Sequence, residues 1–133
     1  MSLYLLDFSA VSGLLRGTAP ALRRALLDEP GRRMAISALT RAELAHEVAR
    51  RSGDAGLALR VEEFLMRVEV LPFDSDAAVA FGELKFQADL EDAEIEAGQL
   101  LVAAQAIAVD AELVTLTHWP DGLRRRVRVA DSG

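Results

Sequence analysis

The chain has 133 residues, 51% of them hydrophobic, no cysteine and a formal net charge of −6. That length suits one domain spanning residues 1–133 with a sizeable core, and the missing cysteines exclude a disulfide framework and any thiolate metal site. The longest apolar runs, Ala77–Phe81 and Leu100–Ala104, fall far short of the roughly 20 residues a membrane helix needs. The start has neither a basic n-region nor a small-residue cleavage motif, so a cytoplasmic protein is expected.

The charge is unevenly spread. Residues 16–68 hold ten Arg against seven acids, residues 69–121 hold one Lys against twelve acids, and residues 122–133 hold four Arg against one acid. A patch for a polyanion therefore requires the early Arg residues and Arg124, Arg125, Arg126 and Arg128 to converge in space; otherwise they are solvated helix faces.

In chain order, Leu3-Tyr4-Leu5-Leu6 predicts a buried strand that delivers Asp7 to its carboxyl end, where open α/β sheets place their chemistry. Asp7 can equally be a helix cap, because Ser9–Arg16 reads as a helix. Thr18–Leu27 is a second helix, with Thr18 as its cap, Pro20 in its first turn and Pro30-Gly31 as its stop. Met34–Ser37 is a short buried strand. Thr40 then opens a helix carrying Leu44, Ala45 and Val48, with Thr40 and Glu43 in the Thr-x-x-Glu spacing of a capping box.

Leu57–Val68 repeats a helical stripe, which makes an antiparallel helical hairpin, and Val68–Phe73 is a strand. Ser75 to about Leu90 is a long amphipathic helix, Glu91–Glu96 a polar connector, and Leu100–Val109 a helix apolar nearly all round and hence buried. Glu112–Thr115 is a strand and Val127–Val129 a further short one. Alternating strands and helices predict an α/β fold, a mostly parallel central sheet of four to five strands flanked by helices.

No Gly-x-Gly-x-x-Gly, no Gly-Lys-Ser/Thr and no Gly-x-Ser-x-Gly occurs, which removes dinucleotide, P-loop and nucleophile-elbow chemistry. A doubly wound signalling domain would use Asp74, but it lacks paired acids after the first strand and a late Lys.

The ordered series Tyr4-Leu5-Leu6-Asp7, Ile36-Ser37-Ala38-Leu39-Thr40-Arg41-Ala42-Glu43-Leu44, Leu71-Pro72-Phe73-Asp74 with Phe81-Gly82-Glu83-Leu84, Leu100-Leu101-Val102-Ala103-Ala104-Gln105-Ala106 and Leu113-Val114-Thr115 resembles the PIN domain, in particular the VapC-type toxin ribonucleases of bacterial toxin–antitoxin pairs. The resemblance covers nearly the whole chain. It implies a metal-dependent endoribonuclease in which acids from distant positions converge. Asp7 and Glu43 match the first two acids, as catalytic and metal-binding residues, and Gln99 occupies the third metal position. It also implies Mg²⁺ or Mn²⁺ as cofactor, an RNA substrate, a cognate antitoxin and a homodimer. Carboxylates suit a hard cation, which takes oxygen ligands and offsets their mutual repulsion.

This chain departs from the pattern at Phe8-Ser9, at Gln99 and at Leu116-Thr117, where polar or acidic residues are usual. Weakly bound metal and low activity follow, with a catalytically inactive pseudo-nuclease that binds RNA or a protein as the alternative. Gln99 can still offer a carbonyl oxygen, and Glu96, one helical turn earlier, could swing in. His46 is expected at the surface, and Trp119, after His118, in the core or at the sheet edge. Leu57, Phe64 and Leu65 are expected to leave an apolar surface for the antitoxin tail and the second copy.

Overall fold

The computed structural model describes residues 3–28 and 31–130. At its centre lies β1 (Leu3–Leu6), paired on one side with β2 (Arg33–Ser37) and on the other with β4 (Glu112–Val114), while β3 (Glu69–Leu71) lies outside β2. All three pairings are parallel, and Leu5 sits level with Ala35 on one neighbour and Leu113 on the other. The expected last strand reduces to a single parallel bridge from Leu113 to Val129.

Period-two alternation sorts the strand residues into two cores. Leu5, Ala35 and Leu113 face one layer, where α5 (Ser75–Leu90) and α6 (Ala97–Ala108) supply Leu84, Leu100, Val102 and Ala103. Tyr4, Leu6, Ile36 and Val114 face the other, built by α1 (Phe8–Arg16), α2 (Pro20–Leu27), α3 (Ala38–Arg50) and α4 (Ala55–Leu65). A central strand sandwiched in this way must be apolar on both faces, which is why Tyr4-Leu5-Leu6 runs unbroken. Trp119 is 1% exposed and packs into the α5–α6 core, as expected of a packing residue.

Four helices start on a side chain that accepts a backbone N–H: Asp7 for α1, Ser37 for α3, Asp54 for α4 and Asp74 for α5. The α3 start corrects the sequence reading. Ser37 accepts from the Leu39 amide at 3.0 Å, so the helix begins two residues before Thr40, and Thr40 lies inside it with a buried, unpartnered hydroxyl. There is no Thr40–Glu43 capping box, because a residue inside the helix has no orphan amide ahead of it to accept. Glu43 is thereby released from a structural role.

α2 likewise starts one residue later than expected, on Ala19 with Pro20 first, while Thr18 donates to the Gly13 carbonyl instead. Pro30 lies outside the described residues. Asp74 caps α5, accepting the Ala77 amide at 3.0 Å, and does not line the cleft at the ends of β1 and β4, where the acids of this sheet gather. Gly13, buried in α1, lies where a Cβ would meet the Leu116 side chain and the Ala19 methyl, so the loop after β4 crosses α1 at its thinnest point.

Replacing Ser37 by Ala is expected to lower stability by about 1 kcal/mol through loss of the cap, whereas Thr40→Val should leave it unchanged or raise it, since no hydrogen bond is lost. Urea unfolding of both variants checks this; equal losses would restore the capping box.

Candidate active site

The chain runs β1, β2, β3 toward one edge of the sheet and then returns to place β4 on the other side of β1. That reversal opens a crevice at the carboxyl ends of β1 and β4, the place where open parallel sheets bind ligands. A cleft of about 120 Å³ lies there, lined by Asp7, Phe8, Ser9, Glu43, Glu96, Gly98, Gln99 and Val102. Asp7 comes from the end of β1, Glu43 from the second turn of α3, and Glu96 and Gln99 from the start of α6. All three residues singled out by resemblance thus line one cleft, and Glu96 joins them.

Asp7 is 3% exposed. Its Oδ1 accepts the Ser9 hydroxyl at 2.6 Å and the Ala10 amide at 3.0 Å, so the carboxylate is both strand terminus and helix cap. Its Oδ2 has no hydrogen-bond partner among the described residues. The cap and ligand readings of Asp7 are therefore compatible, one oxygen for each.

Ser9 ties this arrangement to the far side of the sheet. Its Oγ accepts the Leu116 amide at 2.9 Å and lies 3.3 Å from Thr115 Oγ1, which is 2.8 Å from Thr117 Oγ1. A file of three hydroxyls thus runs from Asp7 to the loop after β4, occupying the positions where Thr117 stands in for a polar or acidic residue. The sequence offered no sign of it, because Ser9 and Thr115 meet only through the parallel β1–β4 pairing.

Glu43 stands at the mouth of the cleft. Its carboxyl is held above the ordinary glutamate value, first by partial burial and then by the negative charges of Asp7 and Glu96. No Lys, Arg or His is among the residues lining the cleft. Oxygen-only donors with uncompensated negative charge fit a hard divalent cation rather than a soft one. Among the described residues no three acids or histidines already stand as a group that could hold a metal, so the fit lies in donor chemistry and charge, with water completing the shell. His46 is exposed and lies outside the cleft.

The Arg residues converge only in part. Arg16, Arg23, Arg60 and Arg67 rim an apolar groove of about 660 Å³ floored by Leu14, Leu15, Leu26, Leu27, Met34 and Phe64. A smaller hollow that includes Phe8, Arg16, Arg51 and Arg60 bridges that groove and the cleft. The C-terminal arginines are engaged elsewhere: Arg128 pairs with Asp110 and Arg126 with Gln87. Leu57, Phe64 and Leu65 are half-buried rather than exposed, because they pack on the α1–α4 core. On α4 and just after it the exposed apolar residues are Leu59 and Met66.

The profile of the PIN domain matches residues 4–116. The chain belongs to the PIN domain family. It is 32% identical over 82 residues to ribonuclease VapC2 of Rickettsia felis, a match spanning 62% of this PIN domain and 61% of that relative's length. Among solved structures it superposes on a VapBC2 complex of the same organism bound to a promoter DNA fragment, with a TM-score of 0.82 and 23% identity over 96% of this chain and 97% of that one. A DNA-bound VapBC from Salmonella typhimurium follows at a TM-score of 0.78 and 21% identity, with both chains covered in full. These superpositions establish the fold, a single parallel α/β sheet of the PIN type.

The raised Glu43 group sets a pH dependence. A carboxyl whose folded value exceeds its unfolded one holds its proton longer in the folded state, so its contribution is full below the ordinary value of 4.5 and lost as pH rises through the folded value. Glu43→Gln is therefore expected to raise the melting temperature of the metal-free protein at pH 7, with the advantage shrinking in acid below that ordinary value. Thermal melts across pH in a chelator check it; an advantage independent of pH would remove the electrostatic origin.

Proposed function

We propose that this PIN domain is a metal-dependent endoribonuclease toxin of a toxin–antitoxin pair, with activity weakened at Gln99. The observation that carries the reading is the meeting of Asp7 and Glu43 in one cleft at the sheet's switch point, 36 positions apart in sequence. The likeness to a VapC ribonuclease supports the same reading.

Asp7, Glu43 and the Gln99 carbonyl would hold Mg²⁺ or Mn²⁺, which when bound supplies an activated water and stabilises charge on the phosphate oxygens. The residues themselves position the reacting groups. Asp7 is fixed by Ser9 and the α1 amide, so its free oxygen keeps one direction. Glu43 faces Asp7 across the cleft, where a carboxylate could accept a proton from the attacking water. Arg16, Arg51 and Arg60, in the hollow beside Phe8, offer cations to the flanking phosphates of an RNA strand.

The apolar groove rimmed by Arg16, Arg23, Arg60 and Arg67 suits an antitoxin segment with apolar side chains flanked by acids. A second copy would cover α5, where Val79, Phe86 and Leu90 are 61%, 64% and 65% exposed along one side, with Gly82 leaving open space between them. The pseudo-nuclease reading keeps one supporting observation, the neutral Gln99 where the family pattern has an acid.

Asp7→Asn should abolish RNA cleavage, and Gln99→Asp should raise it by about 10-fold or more, the scale of losses around metal ligands. Structured RNA with Mg²⁺ or Mn²⁺ is the assay. A parent as fast as Gln99→Asp would show that Gln99 does not limit the site, and cleavage by none of the three proteins would favour the pseudo-nuclease. Phe86→Glu should convert a homodimer to monomer by light scattering without changing the circular dichroism spectrum; an unchanged mass would place the dimer face elsewhere.

A further inference from the structure

Among the described residues, Phe8 alone lines both the acidic cleft and the smaller hollow formed by α1, α3 and α4. It is the first residue of α1, and Ser12 and Arg16 follow at steps of four, which places all three on one face of the helix. The same three residues line the hollow. That face presents a ring, a hydroxyl and a guanidinium along about 12 Å, from the edge of the cleft outward. The Phe8 ring is partly buried against the α1–α4 core, which holds it in place while leaving part of it toward both cavities.

The hollow, about 60 Å³, gathers Arg16 from the end of α1, Arg51 just beyond α3 and Arg60 from α4. Glu47 is the one acid in its lining, and it is already paired with Arg50 at 3.0 Å and Arg51 at 3.5 Å. Arg16 and Arg60 form no hydrogen bond or ion pair among the described residues, and both are exposed. Cations from three helices around one small hollow, two of them uncommitted, leave it positive. Guanidinium forks match phosphate oxygens in geometry as well as in charge.

We propose that Phe8 is a base-stacking residue and the Arg16–Arg60 hollow a phosphate subsite, which together hold a nucleotide of single-stranded RNA beside the cleft. The proposal rests on the endoribonuclease reading above and names the form of RNA that the site takes. In a duplex both faces of a base are covered by its neighbours, so only an unpaired base offers a free face to the ring. The acids of the cleft repel phosphate, whereas the arginines beyond Phe8 attract it, so the strand is held from the arginine side with its base against the ring that divides the two cavities. A polar residue at position 8, as in the family pattern, would offer no such face. The stacking surface is therefore a property of this chain's own sequence.

The test is fluorescence anisotropy of a short labelled single-stranded RNA with the intact chain in a chelator, which blocks metal-dependent cleavage, beside the same strand annealed to its complement. Folding of each variant is checked by thermal melting. The parent should prefer the single strand. Phe8→Leu keeps an apolar side chain on the core and removes the ring, so it should weaken binding about fivefold or more, the low end for base–aromatic stacking, while Phe8→Trp should bind at least as well as the parent. Replacing Arg16 and Arg60 together by Gln should lower the slope of log affinity against log salt by about 0.7, the share of one single-strand phosphate contact, whereas Phe8→Leu should leave that slope unchanged. Equal binding of duplex and single strand, or of Phe8→Leu and the parent, overturns the stacking role. An unchanged salt slope in the arginine variant overturns the phosphate subsite and leaves those arginines to a protein segment in the neighbouring groove. No binding of RNA by the parent overturns both. Cleavage by the parent with Mg²⁺ or Mn²⁺ is measured alongside: cleavage with unaltered binding in the variants keeps the endoribonuclease reading and removes the subsite, and binding through Phe8 and the arginines without cleavage does the reverse.

Discussion

The junction between β1 and α1 is the constraint on which the rest depends. One carboxylate at Asp7 ends the central strand, caps the first helix and lines the cleft. Because Oδ1 is held by the Ser9 hydroxyl and the Ala10 amide, the side chain is restrained to one rotamer with Oδ2 on the opposite side of the carboxylate. The strand itself is locked by neighbours on both sides, and the Asp7 amide extends the ladder to the Val114 carbonyl at 3.0 Å. A group placed this way needs no rearrangement to meet a ligand, which is the structural form of preorganisation.

The cost of that placement is electrostatic. Partial burial, and then the negative charges of Asp7 and Glu96, make Glu43 hold its proton more tightly than an ordinary glutamate. No basic residue stands in the lining to offset these charges. The nearest arginine-bearing hollow lies beyond Phe8, where Arg51 is already turned toward Glu47 at 3.5 Å. Phe8 thus separates a negative cleft from a positive approach. A polyanion would meet the cations first and the acids last, and a small cation would find the acids uncontested.

Much of the fold was legible because its signals are periodic and local. Tyr4-Leu5-Leu6 and Met34-Ala35-Ile36 announce buried strands, and the apolar α6 sequence announces its burial, with Leu100 and Val102–Ala106 all enclosed. Cap chemistry was less legible, since Ser37 and Thr40 are both good caps and only the strand's end decides between them. β2 runs through Ser37 itself, so the helix begins as soon as the strand stops. Asp7 could be named in advance because it directly follows an apolar strand, and Glu43 because the run Ile36–Leu44 resembles the PIN pattern. The Ser9–Thr115–Thr117 file could not, since parallel pairing joins residues 106 positions apart without leaving a mark on either segment. Exposure on the helices also escaped the sequence: Leu57, Phe64 and Leu65 share a stripe that packs, partly buried, on the α1–α4 core.

The start of α6 shows how such a site can change without losing its fold. Further along, the helix is fixed by its interior: Gln105, wholly buried, donates to the Leu71 and Pro72 carbonyls at the end of β3 and so pins α6 to the sheet. Its first turn carries none of that burden. Gly98 has open space around it, and Glu96 makes no cap. Substitutions there alter the charge presented to the cleft while the buried segment from Leu100 onward keeps its register. Asp7 has no such freedom, because changing it removes a cap, a strand end and a cleft carboxylate together. The charge presented to the cleft can therefore change at the start of α6, whereas the acid at the end of β1 is confined to the one place where strand and helix meet.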